Sequence, residues 1–212
     1  MFGMNRPKVY SEMEMELLET HISTHYGEIH RVFHEIVSPD IHVDICWILP
    51  TPERNFHTLV TMGMGARKMK VPRGLSANDF GYAELVITLP ADWDVENDDE
   101  KCYWPMRWLK VLARLPGDYN TWLGYGHTIQ MEEHVPEKSE LCGAMTTMPY
   151  LFGEDAATLE LPKRKLINFY QIIPLHENEM SFKLENDAEA LENLFPDDFD
   201  MVVDVTRKSV VG

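Results

Sequence analysis

Apolar and polar side chains alternate between positions 82 and 90. Ala83, Leu85, Ile87 and Leu89 face one way, and Tyr82, Glu84, Val86 and Thr88 the other, the period of a half-buried strand over 83–89. HVDICWILP at 42–50 is rich in β-branched and apolar residues and ends in PTPERN, a turn by composition. NFHTLVTMGM follows, so strands over 43–49 and 58–62 are predicted to form an antiparallel hairpin. Leu166, Ile167, Phe169, Tyr170, Ile172 and Ile173 make a run broken by Gln171, the pattern of a strand over 166–173 buried on both faces. HTIQMEEHVP, LCGAMTTMPYLF and DMVVDVTR are further strand candidates at 127–136, 141–152 and 200–207.

Two stretches have a helical period instead. Ser11 and Glu14 make a capping box, after which Leu18, Ile22, His25, Ile29, Val32, Phe33 and Ile36 form one stripe, predicting a long helix up to Ser38 and Pro39. Gly27 inside it marks a bend or a close contact. The second helix is predicted over 105–115: Pro105 opens it, Trp108, Leu109, Leu112 and Leu115 make its core face, and Pro116 with Gly117 stop it. Arg107, Lys110 and Arg114 fall on its other side as a basic stripe. Residues 176–195 read as helix in two pieces, while 66–81 and the acidic run 91–100 read as surface connectors. Together these elements predict a single α+β domain, with 1–10 and 205–212 as mobile tails.

The chemistry is sparse. His21 with His25, and His30 with His34, have the i, i+4 spacing of metal-binding pairs, but on one helix the pairs point to nearly opposite sides, so no structural metal is predicted. No phosphate-binding glycine motif, zinc-protease motif or nucleophile elbow occurs, and no cofactor is expected. Asp44, in an otherwise apolar strand, reads as a strand-edge carboxylate accepting backbone hydrogen bonds or as a site residue. Glu84 reads as a cross-strand partner of a Lys or Thr or as a ligand group. With His127 these two could form an acid–base constellation, the alternative that would make the chain a small-substrate enzyme. The stretch 118–127 carries Tyr119, Trp122, Tyr125 and His127 among Gly117, Gly124 and Gly126. Large amphipathic rings beside glycines are the composition of a binding surface, and these residues are the predicted interface.

Composition narrows the classes further. The chain has 212 residues, a net charge of -16 and a pI near 4.9, so nonspecific nucleic-acid binding is excluded and a cationic protein partner fits better. There is no apolar run of membrane-spanning length and no secretory leader pattern, and the three cysteines show no CxxC spacing. A soluble cytoplasmic protein without disulfides is predicted.

HVDICWILPTPERNFHTLVTMGM, YAELVITLPADW, WPMRWLKVLARLP, YNTWLGYGHTI and NFYQIIPLHENEMSFKLE occur in an order and wording that resemble the suppressor-of-fused domain in its single-domain bacterial form, over about residues 41–185. The resemblance implies an α+β sandwich in which a mixed, mainly antiparallel sheet is covered by helices, and a protein-binding module without enzymatic activity. In animal relatives the domain is half of a two-domain protein that clamps a short extended peptide of a transcription factor, while bacterial members resemble immunity proteins of polymorphic toxin systems. Here the chain ends where the second domain would begin, so a clamp within one chain is not expected. Gly126 stands where the animal proteins place an acidic residue that meets a histidine of the peptide. The reading is therefore a protein or peptide binder, most concretely an immunity protein for a basic toxin domain, with a peptide-binding regulator as the other non-enzymatic form.

Overall fold

The structure, a computed structural model, describes residues 7–132, 135–136 and 139–212. Its strands are β1 (Ile29–Phe33), β2 (Asp44–Ile48), β3 (Phe56–Met62), β4 (Ala83–Pro90), β5 (Thr128–Gln130), β6 (Leu141–Thr147), β7 (Thr158–Leu161) and β8 (Lys165–His176). They form one sheet in the order β1-β2-β3-β4-β8-β6-β5, with β7 paired to β8. Only β4 and β8 run parallel; the other pairings are antiparallel. The predicted α+β class and the β2–β3 hairpin are both observed.

Helix α1 (Glu12–His25) covers one face and α2 (Glu100–Asp118) the other, while α3 (Glu177–Glu185) and α4 (Ala188–Glu192) pack at the β6–β8 end. Strand parity sorts the core. Ile45, Leu59, Leu85, Ile87 and Ile172 meet Trp108, Leu109 and Leu112 of α2, whereas Cys46, Val60, Val86 and Phe169 meet Leu18 and Ile22 of α1. Burying each large side chain is worth roughly 1.5–3 kcal/mol, so both layers hold the sheet. β4 is consequently buried on both faces, not half-buried as its alternation predicts, because α1 packs over Val86, Tyr10 and the Gly63–Gly65 turn enclose Glu84, and Met201 and Gln171 meet Thr88.

Other expectations are corrected. The first helix stops at His25: Gly27 takes φ +127°, Arg54 Nη1 holds the carbonyls of His25 and Tyr26, and the chain turns back as β1 along β2. Ile29, Val32 and Phe33 suit a strand as well as a helical stripe, and the glycine decides between them. His30 and His34 are thereby off the helix. The second helix begins five residues early, capped by Asp99, because the acidic run favours its positive end; Pro105 and Pro116 lie inside it. In that same run Val95 is buried, so the segment is part core and not wholly a solvated connector.

Residues 200–207 form no strand, only a single bridge from Val202 to Thr88. The end of the chain is also tied down: Arg207 binds Glu179 and the Pro174 carbonyl, and the Val210 amide donates to Glu179. At the other end Lys8 bridges to Ile41 and Tyr10 is buried, while residues 1–6 lie outside the described residues. No helix among the described residues is long and apolar enough to cross a membrane.

Candidate functional site

The segment after α2 is fixed at both ends. Pro116 accepts from the Thr121 amide, Lys70 donates to the Thr121 carbonyl, and Leu123 is buried with its amide on Met69 Sδ. Gly126 then turns at φ +73° against α4, where an added Cβ would sit 2.7 Å from Ala188 Cβ, and its amide reaches the Thr146 carbonyl. This geometry starts β5 beside α2. Between them lies a cleft of about 900 Å³ whose third wall comes from Lys183 and Leu184 of α3.

Three predicted interface residues line this cleft. Tyr119 is 72% exposed, and Trp122 stands edge-on to His127 with ring centroids 4.6 Å apart. Burial, then the nearby Lys183 charge, lowers the His127 pKa. Tyr125 is elsewhere: its hydroxyl donates to Glu192 Oε2 at 2.8 Å, and Thr147 holds the other oxygen, fastening α4 to the sheet. Exposed Val111 and Leu184 add apolar surface to the cleft.

β5 contributes its backbone. It is a sheet edge, and among the described residues it pairs only with β6. The His127 carbonyl accepts from Thr146 and the Met131 amide donates to Cys142, so by antiparallel alternation Thr128 and Gln130 turn their amides and carbonyls outward.

Asp44 and Glu84 belong to other places. Asp44 accepts from the Glu35 amide at 2.9 Å and lies 3.0 Å from His34 Nδ1 and 2.9 Å from His42 Nε2. Glu84 is fully buried among Tyr10, Thr61 and the amides of Gly63, Met64 and Gly65. In the strand order β2 and β5 are five spacings apart, roughly 24 Å, so the acid–base constellation of Asp44, Glu84 and His127 does not assemble. In the basic stripe, Arg114 binds Glu35 and Asp40, Arg107 pairs with Glu100, and Lys110 lies over the Tyr103 ring. Among the described residues no three His, Cys, Asp or Glu side chains could hold a metal ion. Sequence reasoning missed Lys183, Leu184 and Val111, which no local motif marks.

The family model described as Suppressor of fused protein (SUFU) matches residues 39–208. The chain belongs to the suppressor of fused family. Its fold is that of a putative suppressor of fused homolog from Neisseria gonorrhoeae FA 1090, with a TM-score of 0.65 at 19% identity over 93% of this chain and 97% of that one. A chain from the Sufu-Fu complex gives 0.68 at 13% identity over 97% and 93%. A protein of Ureaplasma parvum serovar 3, described as uncharacterized, is 26% identical over 95% of this chain and 98% of its own length. The suppressor of fused resemblance read from the sequence thus stands, and with it the sheet covered by helices.

Proposed function

We propose that this suppressor of fused domain is a non-enzymatic protein-binding module that takes an extended segment of a partner along β5, in the cleft beneath α2. The observation that carries this reading is the coincidence of an unpaired strand edge with an apolar, aromatic-walled cleft. The edge amides supply main-chain hydrogen bonds, and the cleft takes alternate side chains. That a chain of this fold occurs in a Sufu-Fu complex supports the reading. In its finer form, the module is a cytoplasmic immunity protein that occludes a basic toxin domain: a net charge of -16 would speed its association with such a partner, most strongly at low salt.

The test is selection from a displayed random dodecapeptide library. Bound peptides are expected to lose affinity about tenfold or more on Thr128→Pro, which removes an outward amide and no sheet hydrogen bond, while the thermal midpoint stays within a few degrees. Peptides indifferent to both Thr128→Pro and Trp122→Ala would place binding outside the cleft.

A further inference from the structure

The walls of the cleft are unequally satisfied. Of its two cations, Arg107 ion-pairs with Glu100, but among the described residues no carboxylate pairs with Lys183. Lys183 is half-buried, and burial lowers its pKa with no anion offsetting the effect. Trp108, 1% exposed and part of the same wall, has an indole N–H with no hydrogen-bond partner. The carboxylates of the cleft, Asp118 and Glu132, are exposed at its rim, where water solvates them. A partly desolvated cation without a counter-ion asks for an acceptor in a way that rim carboxylates do not ask for a cation.

Resting on the cleft as the binding surface, we infer that the partner's segment brings a carboxylate to Lys183. An acidic side chain or a chain terminus supplies the same group, and a charge-assisted hydrogen bond to the ammonium is stronger than a neutral one. The overall charge of -16 does not oppose this, because beyond about 8 Å at physiological ionic strength charges are largely screened. The net charge therefore sets which partner domain approaches, and Lys183 sets the register of its bound segment.

The library selection, run in 150 mM salt, is repeated on Lys183→Gln and on Trp122→Ala. Wild-type clones are expected to carry Asp or Glu at one position about threefold above library frequency or more, and Lys183→Gln clones are expected to lose that excess. The best clone, made as a synthetic peptide amide, should weaken about tenfold on Asp→Asn or Glu→Gln, and no further when Lys183→Gln is added. The same clone with a free terminal acid separates the two sources. Tighter binding of the acid than of the amide, abolished by Lys183→Gln, assigns the carboxylate to a chain terminus and also supports the inference.

Clones that need Trp122 but show neither signature, or that prefer Lys and Arg, overturn the inference and leave the cleft reading standing. Clones indifferent to both Thr128→Pro and Trp122→Ala overturn both.

Discussion

Glu84→Gln is expected to destabilise the domain by about 3–5 kcal/mol, moving the urea midpoint by roughly 2 M. Five groups donate to this carboxylate: Tyr10 Oη at 2.6 Å, Thr61 Oγ1 at 2.5 Å, the Gly63 and Gly65 amides at 3.0 Å and the Met64 amide at 3.3 Å. Burial pushes the Glu84 pKa up, and the hydrogen bonds oppose it. The Gly63, Met64 and Gly65 amides can only donate, and it is they that favour the ionised form, while the Tyr10 and Thr61 hydroxyls can accept as well as donate. An amide would turn its own N–H groups toward donors and orphan at least one of them.

The turn at Gly63 packs closely on the chain before β2, for at φ +143° an added Cβ would stand 1.9 Å from the His42 carbonyl oxygen. Tyr10→Phe removes a single donor and should cost less, about 1.5–3 kcal/mol. Urea unfolding of both variants decides the matter. A Glu84→Gln protein within about 1 kcal/mol of the wild type would mean that the native carboxyl is already neutral.

Arg207→Met is expected to cost about 3–5 kcal/mol, because it leaves the fully buried Glu179 without its counter-charge. The guanidinium meets both carboxylate oxygens at 2.6 Å and also donates to the Pro174 carbonyl at 2.7 Å. Burial alone would raise the Glu179 pKa; Arg207 and the His176 and Val210 amides outweigh it and hold it below the ordinary value. The stability this pair contributes is therefore present above the unfolded carboxyl value of about 4.3 and is lost as pH falls through the lower folded one. Unfolding curves between pH 7 and pH 3 should show the gap between wild type and Arg207→Met closing at the acid end. A double Glu179→Met and Arg207→Met protein should recover much of the loss, since no buried charge is then left alone. A gap that stays constant with pH would deny the ion pair its role. The pair matters to the cleft because it anchors α3, the helix that presents Lys183 and Leu184.

The parts of the fold legible in the sequence were those whose period had one interpretation. β8 reads as a doubly buried strand from its near-continuous apolar run, and α2 as a helix from Trp108, Leu109 and Leu112. Ile29, Val32 and Phe33 satisfy two periods at once, and the choice rested on Gly27 and on Arg54, which lies beyond the next strand. In the site, Tyr119 and Trp122 could be nominated by residue type, but Tyr125 could not be separated from them because its partner Glu192 is 67 positions away. Lys183 was invisible for a similar reason: nothing in a short helix announces which loop it will face. Glu84 does take a cross-strand Thr, Thr61, as its position predicts, but its full burial was not legible, because alternation tells the two faces of a strand apart but not what covers the second.

Amide hydrogen exchange with and without a library-selected peptide tests the central claim most directly. If the partner segment lies along β5, the outward amides of Thr128 and Gln130 become protected on binding, while β1 at the opposite edge of the sheet is unchanged. Protection that appears along β1, or around Tyr125 and Glu192, with Thr128 and Gln130 still exchanging freely, would contradict the account.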